Sequence, residues 1–235
     1  LASGKLCCFE ALLRWQHPQR GIVSPDDFID MLENSSQMIE LGYWVFRRSF
    51  ELTQLIIQQG FPDIRLAINL SASQFLDPNL GKVLRDLLAE FQLSARHFEL
   101  ELTERTLVKD FDVTLQSMNE LKEMGFHFAI DDFGTGYSSL SYLKQMPVDI
   151  IKIDKSFVFG MLENDADFQI ITSTIAMVHA LDLTVVAEGV ENRAQLQVLK
   201  EHQCDFAQGY FFAKPMTEEQ LLAFLRSYPT SIVGY

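Results

Sequence analysis

The chain has 235 residues, with 19 Lys+Arg against 32 Asp+Glu for a formal charge of −13, and 48% of its residues are hydrophobic. That composition is ordinary for a globular protein, and the acidic balance excludes broad binding to polymeric nucleic acid, whose phosphate backbone requires clustered Lys and Arg. No apolar run reaches the ~20 residues of a membrane span, the first residues lack a signal peptide's basic and apolar regions, and no Pro/Gly/Ser-rich linker divides the chain. One domain in the cytoplasm is therefore expected.

Short runs rich in β-branched and aromatic residues read as strands near 5–12, 64–70, 98–102, 126–131, 148–153, 183–188 and 204–208. Between them, apolar residues recur every three or four positions, which predicts helices near 38–59, 79–91, 111–124, 165–181, 192–201 and 217–227. Repeated strand and helix imply parallel strands joined by right-handed crossovers, hence an α/β fold. Runs such as IRLAINL and LTVVAE suit a sheet buried on both faces, either doubly wound or closed as a barrel. No glycine-rich phosphate fingerprint follows the first strand, which weakens the dinucleotide-binding alternative. Seven strands are readable where a closed (β/α)8 barrel has eight, so a strand ahead of the first is expected to be missing. Cys7, Cys8 and Cys204 are an odd set without CxxC spacing, and read as buried thiols of a reducing compartment.

The polar residues decide between sheet and barrel. Asn69, Glu101, Asp131 with Asp132, Lys152, Glu188 and Gln208 each fall at or just after the end of a strand, and Glu10 lies late in the first. In a parallel barrel those ends converge on one mouth, where active sites are built. A single Asn, Asp or Glu there caps the next helix about as often as it does chemistry. Capping does not explain seven in series, nor a lysine among carboxylates.

Glu10, Glu101, Asp131, Asp132 and the amide of Asn69 form an all-oxygen donor set, which suits Mg2+ or Mn2+ rather than zinc. Without metal these charges would repel and raise one another's pKa. The adjacent aspartates suggest two ions, an arrangement that serves in-line displacement at phosphorus. Phosphodiester hydrolysis follows, with Lys152 as the cation that orients water or neutralises developing charge; a structural salt bridge is its alternative. The glycine-rich stretch 131–139, DDFGTGYSS, reads as a loop capping the mouth, although most such stretches are plain turns. His17, His97, His127, His179 and His202 show no metal-ligand spacing and are read as structural or solvated.

These residues lie in EALLRW (10–15), NLSASQF (69–75), ELTE (101–104), DDFGTGYSSLSYL (131–143), KIDKSFV (152–158), AEGVE (187–191) and QGYFFAKP (208–215). In this order the motifs strongly resemble the EAL-domain phosphodiesterases of bacterial cyclic di-GMP signalling. The resemblance implies an α/β, (β/α)8 TIM-barrel-like fold with one antiparallel strand, and cleavage of cyclic di-GMP to linear pGpG with two Mg2+ or Mn2+ ions. It implies Glu10, Asn69, Glu101 and Asp131 on a first metal, Asp131 and Asp132 on a second, and Glu188 in the metal shell. Lys152, Glu188, Gln208 and Glu10 become the catalytic groups, Lys152 positioning the water. Leu12, Arg14, Asp154 and Gln208 would touch substrate, Arg14 bringing a cation to a phosphate, while Glu104 would anchor the 131–139 loop.

Two departures stand out: Arg105 follows ELTE where the family often has serine, and the family's YQPI-like first strand is absent from the stretch 1–235. The resemblance thus implies an N-terminally truncated EAL domain of a multidomain signalling protein, cytoplasmic itself or the cytoplasmic part of a membrane-anchored chain. Its partners would be a linked sensory or GGDEF domain and a second copy in a homodimer. The competing functions are a catalytically inactive cyclic di-GMP receptor, which would normally show a lost carboxylate, and an enolase-type metal barrel, which the remaining motifs disfavour.

Overall fold

The computed structural model describes residues 1, 4–32, 35–103, 111–136 and 143–228. Glu104, Arg105 and the 137–139 end of the predicted capping loop lie outside the described residues.

Strand β1 (Cys8–Ala11) leads into a small hairpin, β2 (Trp15–His17) and β3 (Gly21–Val23), then α1 (Ile29–Leu32) and the long α2 (Ser36–Gln58). From there strand and helix alternate through β4 (Arg65–Asn69), α3 (Ala72–Phe75), α4 (Leu80–Phe91), β5 (Phe98–Thr103), α5 (Phe111–Met124) and β6 (His127–Phe133). The order continues with β7 (Ile150–Ile153), α6 (Lys155–Gly160), α7 (Asp165–Ala180), β8 (Thr184–Ala187), α8 (Arg193–Glu201), β9 (Phe206–Ala207) and α9 (Glu218–Ser227).

All seven strands expected from the sequence enter one sheet, ordered β1-β4-β5-β6-β7-β8-β9, and every neighbouring pair is parallel. The antiparallel strand implied by the resemblance is not among these seven. The hairpin β2-β3 forms a separate antiparallel sheet. Its strands are three residues each, too short for a period-two pattern to register in the sequence.

Alternation along the strands explains why the main apolar core and the candidate site do not compete for space. Successive side chains point to opposite faces. On the outer face Leu66, Ile68, Phe98, Leu100, Leu102, Phe128, Ile130, Ile151, Ile153 and Val185 form one buried cluster with Phe46 and Phe50 of α2, Leu84 and Leu87 of α4, and Ile171 and Ile175 of α7. Phe50 and Phe98 stack at 4.0 Å between ring centroids, 14° from parallel, so truncating Phe98 would cost about 3–5 kcal/mol. The intervening residues Asn69, Glu101, Asp131 and Lys152 face the other side, inside the curl of the sheet. The edges come back toward each other: Gln208, just past β9, donates from Nε2 to Oε2 of Glu10 in β1 at 2.7 Å, and the amino group of Leu1 bonds the Asp205 carbonyl.

Among the described residues none of the three cysteines forms a disulfide; Cys204 is buried as expected, whereas Cys7 and Cys8 are only half-buried.

Candidate active site

A break in the ladder aims the paired aspartates. The β6-β7 register shifts between Ile130 and Phe133, so Asp131 and Asp132 occupy an irregularity of the kind that re-aims side chains next to active sites. Asp132 has φ 54, left-handed backbone uncommon for a residue with a side chain, and its N–H donates to Asp131 Oδ1 at 3.0 Å. Thr135 Oγ1 returns to the Asp132 carbonyl at 2.9 Å and holds the turn. The result is that Asp131, Asp132 and Glu188 each offer an oxygen within 4.8 Å of the others.

Beneath them lies Lys152, whose side chain is 2% exposed, almost unknown for a lysine without partners. Its Nζ lies 2.7 Å from Glu101 Oε1, 2.7 Å from Glu188 Oε1, 3.1 Å from Asp131 Oδ1 and 3.9 Å from Glu10 Oε2. One ammonium thus faces four carboxylates. Burial disfavours its charge, but Glu101, Glu188, Glu10 and Asp131 outweigh burial and hold its pKa well above the ordinary lysine value. Burial pushes the Glu101 carboxyl well above its usual range against the pull of Lys152, with Glu10 and Asp131 adding to the rise. Glu188 is pushed up to about 7 by the same combination of burial against Lys152. Asp132 is raised by burial, then by its neighbours Asp131 and Asp154. The cluster carries more negative charge than one lysine neutralises.

Glu10 is fixed from both sides. Asn69 Nδ2 donates to its Oε1 at 2.8 Å and Gln208 Nε2 to its Oε2 at 2.7 Å, so two amides orient the carboxylate across the seam of the sheet. Glu101 Oε2, by contrast, is buried with no hydrogen-bond partner among the described residues. An unsatisfied buried carboxylate oxygen is costly, and among hard oxygen donors a divalent cation is the natural group to satisfy it. On both counts the residues fit Mg2+ or Mn2+.

The structure thus gathers Glu10, Asn69, Glu101, Asp131, Asp132, Lys152, Glu188 and Gln208 at one rim. Asp154 is buried close by, where it caps α6: its Oδ1 accepts from Ser156 N at 3.0 Å and from the Ser156 hydroxyl. Leu12 is exposed, and Arg14 is exposed with Nη1 on the Leu13 carbonyl at 2.6 Å; among the described residues no hydrogen bond or ion pair ties either side chain to the carboxylates.

Two glutamines that the sequence reading passed over shape the rim. Gln74 closes a capping box with Ser71 and donates from Nε2 to the Met38 carbonyl at 3.1 Å, fixing the turn after Asn69 to α2. Gln195 does the same after Glu188: Oε1 accepts from Glu191 N at 2.8 Å, and Nε2 donates to the Val158 carbonyl at 3.0 Å. The spacings S-x-x-Q and N-x-x-Q were the available signal.

Residues 1–215 match the family described as the EAL domain. The chain is 40% identical over 228 residues to the cyclic di-GMP phosphodiesterase NbdA of Pseudomonas aeruginosa, covering 97% of this chain and 29% of NbdA. It is 39% identical over 221 residues to the bifunctional diguanylate cyclase/cyclic di-GMP phosphodiesterase MucR of the same organism, covering 94% of this chain and 32% of MucR. The chain therefore spans about a third of the length of these relatives. The solved PaMucR phosphodiesterase, a c-di-GMP complex, superposes with a TM-score of 0.87 at 39% identity, over 90% of this chain and 86% of that one. The EAL enzyme Bd1971, in its cAMP- and cyclic-di-GMP-bound form, gives 0.89 at 36%, over 93% and 60%. The protein belongs to the EAL domain family, and the resemblance carried by the motifs is borne out in family and fold. Among the described residues no helix is long and apolar enough to cross a membrane.

Proposed function

We propose that this chain is a metal-dependent phosphodiesterase domain that hydrolyses cyclic di-GMP to linear pGpG. The carrying observation is the cluster of four carboxylates around Lys152, with Glu101 Oε2 left unsatisfied and Asp131, Asp132 and Glu188 converging above it. The substrate assignment is supported by NbdA and MucR, named as acting on cyclic di-GMP, and by the complex of the latter.

In this reading Glu10, Asn69, Glu101, Asp131, Asp132 and Glu188 hold two Mg2+ or Mn2+ ions. Such ions, when bound, polarise the phosphoryl oxygens and make water acidic enough to attack at neutral pH. Lys152 keeps the water in line with phosphorus and offsets charge that grows in the transition state. Glu188 and Gln208 complete the water's surroundings, and Glu10, clamped by Asn69 and Gln208, cannot swing away when substrate enters. Water oxygen bonds to phosphorus, the P–O3′ bond breaks, and the 3′ oxygen leaves with a proton as hydroxyl. Leu12, Arg14 and Asp154 flank the substrate, Arg14 facing a phosphate with the cation that the carboxylate rim lacks. Glu104 holds the loop that begins at Asp131. The parent protein carries further sensory or GGDEF domains, pairs through this domain as a homodimer, and keeps this domain in the cytoplasm.

The test is incubation with cyclic di-GMP and Mg2+ or Mn2+ and separation of the nucleotides by chromatography. Linear pGpG is expected. Tight binding without any product would contradict the enzymatic reading and make the domain a receptor.

A further inference from the structure

Among the described residues, three helices open on a capping box closed by a glutamine: Ser71 with Gln74, Asn192 with Gln195, and Thr217 with Gln220. In each, the N-cap side chain accepts from the glutamine's backbone N–H, and the glutamine's Oε1 accepts from the N-cap N–H. Gln220, remote from the rim, is exposed, and among the described residues its Nε2 makes no hydrogen bond. Gln74 and Gln195 follow the rim residues Asn69 and Glu188, and they are only 5% and 4% exposed. Each donates from Nε2 to a carbonyl of another helix, Met38 of α2 at 3.1 Å and Val158 of α6 at 3.0 Å. The two boxes beside the rim are thus tied across the fold, and the one away from it is not.

For Gln74 the tie is built into α2. Gly42 lies buried inside that helix with helical backbone, a position where glycine costs about 1 kcal/mol relative to alanine. A Cβ there would stand 1.9 Å from Gln74 Nε2 and 2.6 Å from its Cδ, so the missing side chain is the seat of the Gln74 amide. At its other end the same amide accepts from Ser71 N at 2.8 Å, which pins the turn of Leu70 and Ser71 against α2. That turn carries Asn69. The β1 ladder ends at Ile68, paired with Ala11, whereas Asn69 pairs with Glu101 of β5 on the other side. Support from one strand leaves the direction of the exposed Asn69 side chain to the turn that follows, and its Nδ2 meets Glu10 Oε1 at 2.8 Å. Phe75, 1% exposed and edge-on to Phe128 at 6.3 Å between ring centroids, anchors α3 in the core without Gln74.

We propose that Gln74, seated on Gly42, is a positioning residue of the candidate active site: it sets the direction of the Asn69 amide and, through it, of the Glu10 carboxylate. Its effect on turnover rests on the phosphodiesterase reading; its effect on Asn69 does not. The experiment compares wild type, Gln74→Ala, Gly42→Ala and the double variant, with Gln220→Ala as the exposed-box control. The first measurement is NMR of the Asn69 side-chain amide in protein free of divalent cations and substrate, so its outcome is separate from that of the phosphodiesterase reading. In Gln74→Ala and Gly42→Ala the amide is expected to lose its hydrogen-bonded shift and exchange faster with water, and in Gln220→Ala to stay as in wild type. The second is turnover of cyclic di-GMP, expected to fall roughly 10–100-fold in the first two variants, the range for residues that orient metal ligands. Adding Gly42→Ala to Gln74→Ala is expected to cost nothing further, because the truncated side chain has vacated the seat. Thermal unfolding identifies the variants that are folded, and Gln74→Ala decides the matter if Gly42→Ala is not. An Asn69 amide that is unmoved in folded Gln74→Ala, or equally perturbed in Gln220→Ala, would overturn the proposal, as would additive losses in the double variant.

Discussion

Gln208 and Glu10 belong to opposite edges of the seven-stranded sheet, 198 residues apart, and the Gln208 amide donates to the Glu10 carboxylate at 2.7 Å. Asn69, from the strand beside β1, holds the other oxygen of the same carboxylate at 2.8 Å. The curl of the sheet and the geometry of the candidate site are thus secured by one residue.

Replacing Glu10 by alanine removes the acceptor of both amides and one of the carboxylates around Lys152. Turnover is expected to fall at least a hundredfold, on the order of several kcal/mol of transition-state stabilisation. The metal-free fold should lose only about 1–3 kcal/mol from the unpaired amides. Steady-state kinetics and thermal unfolding check this, and near-normal turnover in a folded variant would contradict the assignment.

Lys152→Met strips the ammonium from four carboxylates and keeps the bulk of the side chain. Uncompensated buried charge costs about 3–5 kcal/mol, so the metal-free variant should melt well below the wild type. Addition of Mg2+ should restore most of that loss while turnover stays low. Equal melting with and without Mg2+ would show that the carboxylates do not share a divalent ion.

Gly209 has φ 153, and a Cβ there would stand 2.2 Å from the Val190 carbonyl oxygen. Val190 N in turn donates to the Gln208 carbonyl at 3.0 Å, so Gly209→Ala must displace the residue that bonds Glu10. The expected effect is about 1–3 kcal/mol of lost stability with a larger proportional loss of turnover, measured by denaturant unfolding beside kinetics.

Asp149 offers a pH signature away from the rim. Burial opposes its charge, yet His127 at 3.7 Å, together with hydrogen bonds from Lys122 and Phe128 N, outweighs burial and lowers it from 3.8 to about 2. A carboxylate depressed in the folded state stabilises fully above its unfolded value and loses that contribution as the pH falls through the folded one. The window is therefore pH 4 down to 2, worth about 2 kcal/mol. Asp149→Asn should be less stable than wild type at pH 6, and the gap should close by pH 2; a constant gap would refute the linkage.

The sheet was legible in the sequence because a parallel sheet covered on its outer face by helices writes near-continuous apolar strands, as in IRLAINL and LTVVAE. The rim was legible because Asn69, Glu101, Lys152 and Glu188 interrupt that pattern at one end of the strands. The break at Asp131–Asp132 was not, since a ladder irregularity depends on the partner strand β7 rather than on local composition. Short helices such as α3 and α6, of four and six residues, are too brief to set up a helical period.

The most direct test of the functional account is the metal dependence of cyclic di-GMP hydrolysis, measured on wild type and Glu101→Gln side by side with the products resolved by chromatography. The account predicts pGpG from the wild type only when Mg2+ or Mn2+ is present, and a loss of at least a hundredfold in the variant. Turnover that survives removal of divalent cations, or that Glu101→Gln leaves intact, would contradict it.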